Sequence, residues 1–457
     1  MRKFILFAAA MSLIAMTSAV AGEKDAVTES SEKPAKILDN LKIKPYGFLR
    51  MFYAFDTRES SCGTQNLYYY MPKDENLNYA GEDLNKQTSF RFLALTSRLG
   101  LDLSGYQYGN AQFGGKFEAD FYCMSGSVAV LRLRQAYFTA KWANLGKNGK
   151  SSALLKVGQA WHPLSDDKPH GFELEVGQPF CQFSRTPQVS LNYDTESGFT
   201  FIGSLLWQMQ YLSTGPDGKS INYINYGCTP EVFLGIGYKA AGGIAVKAGA
   251  DLLSIKPRRT GVDPDAPTGA TNTQIKVNDR LTTLSPFLFL QYTHNLFQLR
   301  AKTIYASAGE HLNMLSGYGV SSVNSDGSYD YTPMRSSVSF VSAQYGKKWV
   351  VSGMFGYVKL LGTADELADR DGDGLTPKTD YYFNASGYSN MNSMWRVTPA
   401  VTRNWGRFCL GLEYDLTGVQ YGTYAKDGCV SSKNGLVEDG LHWVYNHRIL
   451  MVTKFTF

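Results

Sequence analysis

The chain has 457 residues, a formal net charge of +5 and six cysteines, none of them in a CxxC pair. Its positive charge is too weak and too dispersed to indicate a nucleic-acid partner. The length allows two or three ordinary domains or one very large one, and no Pro/Ser/Gly-rich linker divides the chain.

The first 21 residues have the pattern of a secretory signal peptide. A basic start ("MRK") precedes an apolar run, and the small-residue triplet "AVA" ends at Ala21 as a cleavage site. The alternative, a membrane-anchor helix, needs a longer apolar run. We expect the polar stretch 22–41 to be a periplasmic N-terminal segment and 42–457 to form one domain.

That domain repeats stretches of about ten residues in which polar and apolar side chains alternate, which is typical of membrane β-barrel strands. In "SRLGLDLSG", Leu99, Leu101 and Leu103 share one face of a strand. The segments "GKFEADF", "VLRLRQ" and "FQLRAK" alternate in the same way. The predicted strands lie near 43–56, 89–106, 111–123, 128–142, 151–161, 186–194, 197–211, 230–239, 243–256, 280–293, 296–308, 336–345, 348–361, 391–403, 406–420 and 441–457.

Loop lengths distinguish a barrel from a soluble sandwich, which would give the same alternation. Short connections such as "YGN", "AAGG" and "NWG" alternate with long ones, and only the link near Cys123 breaks the rule. This sorting predicts a 16-stranded antiparallel transmembrane β-barrel with short periplasmic turns and long extracellular loops. The last strand, which ends at Phe457, would pair with the first so that no edge faces lipid.

A family resemblance appears in "SRLGLDLSGYQYGNAQFGGKFEADF", "LRLRQAYFTAKW" and "LLKVGQAWHPL". These segments resemble the trimeric outer-membrane porins, most closely the DcaP-like family, and the terminal aromatic resembles the insertion signal of outer-membrane proteins. The resemblance implies a homotrimer in the outer membrane of a Gram-negative bacterium that passes small anionic solutes such as dicarboxylates. Members of the family can carry an N-terminal coiled coil, for which residues 22–40 are too short and too polar.

A barrel of sixteen strands is wide enough for a water-filled channel, whose charges would set its selectivity. Arginine suits a carboxylate because its fork donates two parallel hydrogen bonds. The alternative is that nearby acids simply neutralise the basic residues. The predicted pore-lining residues are Arg50, Arg98, Lys116, Arg132, Arg134, Asp102, Glu118 and Asp120.

The loop "HPLSDDKPHGFELEVGQPFCQFSR" follows the fifth predicted strand. In general porins the corresponding loop folds into the channel and narrows it, so we expect its acids to face the basic wall. The alternative is a surface loop outside the pore. The predicted constriction residues are Asp166, Asp167, Glu173 and Glu175.

The segment "DRDGDGLTPKTD" matches a calcium-binding loop, with acids at positions one, three and five, Gly374 at six and a backbone carbonyl at seven. Aspartate at position twelve resembles dockerin-type loops, whereas EF-hands prefer glutamate there. The alternative is an acidic turn that binds no ion. The predicted Ca²⁺ ligands are Asp369, Asp371, Asp373, Leu375 and Asp380.

No enzyme is predicted, because neither HExxH nor GxSxG occurs in the chain. Two other classes stay open, namely a barrel hydrolase and a surface-binding or structural barrel with a blocked pore. In an exported protein the cysteines can form disulfides, and we expect the pairs Cys181–Cys228 and Cys62–Cys123. Free buried thiols are the alternative.

Overall fold

A computed structural model describes residues 40–63, 68–122, 129–171, 177–383, 388–426 and 428–457, without the side chains of 62, 63, 68 and 69. The predicted signal peptide and residues 22–39 lie outside the described residues. No helix in the described part of the chain is long and apolar enough to cross a membrane.

Sixteen antiparallel strands close into one barrel, which confirms the fold predicted from the alternation. Two of them, β2 and β14, are each interrupted once. The strands are β1 Lys42–Asp56, β2 Ser89–Leu93 with Arg98–Tyr108, β3 Ala111–Tyr122, β4 Val130–Leu145, β5 Ser151–Trp161, β6 Arg185–Asp194, β7 Phe199–Leu206, β8 Glu231–Lys239, β9 Ile244–Ile255, β10 Leu281–His294, β11 Phe297–Ser307, β12 Tyr329–Gly346, β13 Trp349–Thr363, β14 Met391–Val397 with Ala400–Trp405, β15 Phe408–Tyr421 and β16 His442–Thr456.

The barrel closes between its first and last strands. β1 pairs with β16 in a register that runs from Phe48 opposite Thr456 to Asp56 opposite Arg448. The terminal Phe457 exchanges two backbone hydrogen bonds with Gly47, at 3.0 and 3.3 Å. Every backbone group at this seam therefore has a partner, as a membrane-spanning sheet requires.

The outer surface of the barrel is apolar at alternate positions. In β10, Leu284, Leu288 and Leu290 are exposed, whereas their neighbours Phe287 and Phe289 point inward and are buried. This period of two follows from the pleat of a strand. No other part of the described chain covers these leucines, and such an apolar outer face is typical of transmembrane β-barrels.

Turns at one end of the barrel are short, and the connections at the other end are long. The turns between consecutive strands at the short end include residues 109–110, 295–296 and 406–407. The long loops contain small elements of their own: a hairpin of Ser60–Gly63 with Tyr68–Pro72, a helix Asn222–Gly227, and a strand Gly317–Val323 that extends β12.

The interior of the barrel is not uniformly polar. Along β8 and β10–β15, inward side chains pack with loop residues into a buried apolar cluster. Phe233, Phe287, Phe340 and Met354 belong to this cluster. The inward side chains of β1–β4 include the predicted charged set, and further buried charged side chains, such as Arg396 and Arg448, lie on β14–β16.

Candidate functional site

The inner wall of β2–β4 carries a network of ion pairs. Arg132 donates two hydrogen bonds to Asp120, at 3.0 and 2.9 Å. Arg134 bridges Glu118, at 2.8 Å, and Asp120, at 2.7 Å. Arg98 adds a contact of 3.5 Å to Glu118. The strand register places Asp120 opposite both Arg98 and Arg132, so the alternation predicted from the sequence brings these side chains together.

The predicted pore-lining residues differ in how much water they meet. Four of them are partly exposed on the inner wall, namely Arg98, Asp102, Lys116 and Arg132. The other four are buried: Arg50, Glu118, Asp120 and Arg134. Since the eight residues comprise five cations and three carboxylates, the wall keeps a formal excess of two positive charges.

Lys116 and Arg50 are held by partners on neighbouring strands. Lys116 pairs with Asp102 and also donates a 3.0 Å hydrogen bond to the hydroxyl of Tyr46. The guanidinium of Arg50 donates to the hydroxyl of Thr96, in the interruption of β2. These contacts fix the direction of both cations, which reduces the rotamer freedom that a flexible side chain would otherwise retain.

The loop after β5 runs through the interior of the barrel. Its first residues form a short 3-10 turn, Pro163–Ser165, in which Lys302 of β11 donates to the carbonyl of Leu164. Farther along, Arg300 of β11 donates to the carbonyl of Lys168 at 2.9 Å. Ser342 of β12 then accepts the backbone N–H of His170 at 2.7 Å.

The end of this loop is also anchored inside the barrel, on β13, β14 and the loop after β11. Arg396 of β14 donates to the carbonyl of Gln178 at 2.7 Å. The ring of Phe180 lies so close to Gly356 of β13 that a Cβ built there would sit 2.3 Å from the ring. The backbone N–H of Phe183 donates to the carbonyl of Leu312 at 2.9 Å. Both ends of the loop are therefore fixed to the inner surface.

The predicted constriction acids that the structure describes, Asp166 and Asp167, differ in their contacts. Asp167 forms a 2.6 Å ion pair with Lys247 of β9, and the neighbouring Asp166 is exposed. Glu173 and Glu175 lie outside the described residues. One of the four predicted acids, Asp167, therefore pairs with an inward lysine of β9 and not with the basic wall of β2–β4.

Sequence reasoning missed a set of cations and rings where the loop begins and ends. The ammonium of Lys168 lies 3.3 Å from the centre of the Trp161 ring, a cation–π contact. Arg185 lies 4.9 Å from the same ring, is fully buried and donates to the hydroxyl of Tyr211 at 2.8 Å. No carboxylate in the described part of the chain forms an ion pair with Lys168 or Arg185. No spacing rule links these residues, because the fold of the loop brings them together.

The predicted calcium loop is compact. Asp369 accepts hydrogen bonds from the backbone N–H groups of Gly372 and Gly374, both at 2.8 Å. Arg370 donates to both carboxylate oxygens of Asp380. Lys426 lies 3.8 Å from Asp371 and 3.3 Å from Asp373. The fifth predicted ligand is the carbonyl of Leu375. Two basic side chains, Arg370 and Lys426, thus contact three of the four predicted carboxylate ligands.

One predicted disulfide is wrong, because Cys181 and Cys228 are both free. Cys181 belongs to the loop after β5, residues 162–184, which we call the lumen loop, and its buried thiol donates to the carbonyl of Asp167 at 3.3 Å. Cys228 is exposed and ends the helix Asn222–Gly227. The loop folds inward and takes Cys181 with it, whereas Cys228 is exposed, so the two thiols do not meet. The second pair, Cys62–Cys123, lies outside the described side chains.

Comparison with known proteins finds similarity in fold. No protein-family model and no curated relative matches the sequence. The outer membrane channel DcaP of Acinetobacter baumannii has a similar structure, with 16% identity over 92% of this chain and 98% of that chain and a TM-score of 0.62. OmpT of Vibrio cholerae is similar at 13% identity over 92% and 98% of the two chains, with a TM-score of 0.50.

These matches agree with the closed antiparallel barrel. An antiparallel barrel of this size with a lipid-facing outer band is the architecture of outer-membrane channels. The chain has the fold of the outer-membrane porins, as in the DcaP channel.

Proposed function

We propose that the protein is a passive diffusion channel for small hydrophilic solutes and that it favours anions such as dicarboxylates. The observation that carries the anion preference is the composition of the inner wall of β1–β4. The three carboxylates among the eight predicted residues there are all paired with basic side chains, and the eight keep two formal positive charges. A solute carboxylate passing this wall would meet arginine forks whose geometry matches its own oxygens.

The apolar packing along β8 and β10–β15 supports a path for the solute next to the basic wall. Water does not reach the buried cluster around Phe340 and Met354, so the polar route would run between the lumen loop and β1–β5. Lys168 faces this route from the loop and adds a positive charge that is not in an ion pair. Positive charges on both sides of a narrow cleft with low-dielectric walls focus the electric field and raise the local concentration of anions.

The lipid-facing surface and the porin fold also support assembly as a homotrimer in outer-membrane lipid. Trimeric assembly is an expectation from the family resemblance. Cross-linking of the detergent-extracted protein should give a ladder that ends at three chains, and a single band at one chain would count against it.

Solute flux tests the proposed function directly. Liposomes that contain the protein should swell in an isotonic neutral sugar, and faster in a dicarboxylate than in a cationic solute of equal size. Swelling that is faster with the cation would contradict the anion preference. Liposomes that never swell would favour the alternative, a surface-binding or structural barrel with a blocked pore.

The charge of Lys168 should make the anion preference depend on pH. Burial in the barrel interior lowers the pKa of Lys168 to about 8, and the nearby Arg134 acts in the same direction. The ammonium is therefore charged at neutral pH and loses its charge as the pH rises through 8. We expect the anion preference, measured as a reversal potential, to fall between pH 7 and pH 9.

A matched variant separates this effect from titration elsewhere. In Lys168→Met the preference should already be lower at pH 7, and its change between pH 7 and pH 9 should be smaller than in the wild type. Identical pH curves for the two proteins would show that Lys168 does not act on the permeating ions.

We also propose that the segment 369–380 binds Ca²⁺ as a structural ion. The support is the matched spacing and the compact turn around Asp369, and binding requires Lys426 and Arg370 to leave the carboxylates. Extracellular calcium sites work at roughly 10⁻⁴ to 10⁻³ M, so a weak site suffices. Millimolar calcium should slow proteolysis of 362–390, whereas conductance should stay nearly the same.

The control for calcium is the double variant Asp371→Ala, Asp373→Ala. Protection that survives in this variant would rule the site out, and so would equal cleavage with calcium and with a chelator.

A further inference from the structure

A buried cluster of histidines and acids lies where the lumen loop leaves the barrel wall. Nε2 of His162, just before the 3-10 turn, is 2.9 Å from Oε1 of Glu231 and 3.6 Å from Oδ1 of Asp251. Nε2 of His311, in the loop after β11, is 3.1 Å from the same Glu231 oxygen. Glu231 begins β8 and Asp251 lies in β9, so the cluster joins two loops to two neighbouring strands.

The geometry of three of these groups is that of a metal site. One ligand atom each from His162, Glu231 and Asp251 lies within 4.8 Å of the other two, and all three residues are buried. His311 lies beside Glu231, within reach as a fourth ligand after a small shift. Nitrogen–metal and oxygen–metal bonds of 2.0–2.2 Å at tetrahedral angles place ligand atoms about 3.4 Å apart. The contact of 2.9 Å between His162 and Glu231 would therefore open slightly, and the contact of 3.6 Å between His162 and Asp251 already fits.

The carboxylates of this cluster have acceptor capacity that nothing uses. Oε2 of Glu231 and Oδ1 of Asp251 are buried and have no hydrogen-bond partner in the described part of the chain. No lysine or arginine there forms an ion pair with either acid, and their only ionic contacts are to the two histidines. Two buried acids with no lysine or arginine need other compensation, either protons or a cation.

We propose that His162, Glu231 and Asp251, with His311 as fourth ligand, bind one divalent first-row transition metal ion of the Zn²⁺ class. Imidazole ligands select such an ion over Ca²⁺ and Mg²⁺, which prefer all-oxygen sites. The ion would neutralise both carboxylates and would tie the lumen loop and the loop after β11 to β8 and β9. This role is structural and does not depend on whether the barrel conducts.

One contact shows what the ion must displace. Nδ1 of His162 accepts the backbone N–H of Leu164 at 3.1 Å, so the imidazole proton is on Nε2 and faces Glu231. When Nε2 binds a metal, the proton moves to Nδ1, and the hydrogen bond from Leu164 is lost. Metal binding should therefore change the first turn of the lumen loop, Pro163–Ser165, and this change can be measured.

Metal analysis of the full chain tests the site. The protein is refolded in detergent with equimolar Zn²⁺ and excess Ca²⁺ and Mg²⁺, and is then desalted. We expect about one zinc per chain, a higher melting temperature than in chelator, and a tetrahedral visible spectrum when Co²⁺ replaces zinc. Hydrogen exchange of the peptide around Leu164 should differ between the zinc-loaded and zinc-free protein.

The double variant Glu231→Gln, Asp251→Asn should lose the bound zinc and the stabilisation, whereas His294→Gln, an exposed histidine at the turn end of β10, should keep both. Zinc content that is the same in the wild type and the double variant would overturn the proposal. So would a wild-type protein that retains no zinc and gives an octahedral Co²⁺ spectrum, a result that does not require any variant to fold.

Discussion

Replacement of Arg132 and Arg134 by alanine should turn the channel toward cations. Each replacement removes one positive charge from the inner wall. Glu118 and Asp120 remain as carboxylates, and of the three arginines that lay beside them only Arg98 is left. The formal charge of the eight wall residues then changes from +2 to zero, and the two acids regain unpaired oxygens. The reversal potential in a salt gradient should shift accordingly, and an unchanged potential would mean that these side chains do not act on permeating ions.

The same substitution should also destabilise the barrel. Arg134 is buried between Glu118 and Asp120, and removal of one partner from a buried ion pair leaves an uncompensated charge that costs about 3–5 kcal/mol. The matched control adds Glu118→Gln and Asp120→Asn to the double variant, which removes the stranded charges. Stability should then recover in part, and selectivity should return toward that of the wild type, because the eight wall residues again carry a formal charge of +2. Loss of stability equal in both proteins would place the effect in lost packing instead.

Removal of the lumen loop should raise single-channel conductance severalfold. The described parts of the segment 166–178, residues 166–171 and 177–178, are anchored inside the barrel on β9, β11, β12 and β14, so a short Gly/Ser link in place of the segment would open the cross-section. Conductance grows with the area of the narrowest point, and this loop is anchored to the inner surface of the barrel at β9, β11 and β14. Lys168 is lost with the loop, so the anion preference should fall as the conductance rises.

A deletion elsewhere provides the control. Residues 264–272 form an exposed part of the long loop between β9 and β10, and their removal should leave conductance and selectivity unchanged. Equal conductance of the wild type and the lumen-loop variant would mean that the narrowest point lies elsewhere in the barrel.

The strands were predictable from the sequence because alternation has a period of two in any strand, whatever surrounds it. Segments such as "SRLGLDLSG" show this period directly, and the structure has β2 where that segment lies. Closure was predictable as well, because the chain ends in alternation at Phe457. The seventh strand was predicted to extend to residue 211, but β7 ends at Leu206. The residues that follow turn inward, where the hydroxyl of Tyr211 accepts a hydrogen bond from Arg185.

Burial inside the barrel was not predictable from the same pattern. Both faces of β10 are apolar, because Phe287 and Phe289 point inward and the leucines that alternate with them point outward. A sequence rule that assigns apolar residues to the outer surface cannot tell which of these two faces is the inner one. Likewise, the stripe of charges on β2–β4 was visible, but its pairing was not: only the register and the lumen loop determine that Arg134 is buried and Arg132 is partly exposed.

Contacts between loops were beyond sequence patterns for the same reason. Spacing alone placed Asp380 as a calcium ligand and could not reveal that Arg370, ten residues earlier, binds both of its oxygens. The cluster of His162, Glu231 and His311 comes from three separate parts of the chain. No local motif marks it, and only the inward path of the lumen loop brings these groups together.

The most direct test of the central claim is single-channel recording in a planar bilayer with a salt gradient across it. We expect stepwise current increments, grouped in threes for a trimer, and a reversal potential on the anion side at neutral pH. Silence at all voltages from protein that is shown to be folded would contradict the channel itself, and increments with a cation-side reversal potential would contradict its anion preference.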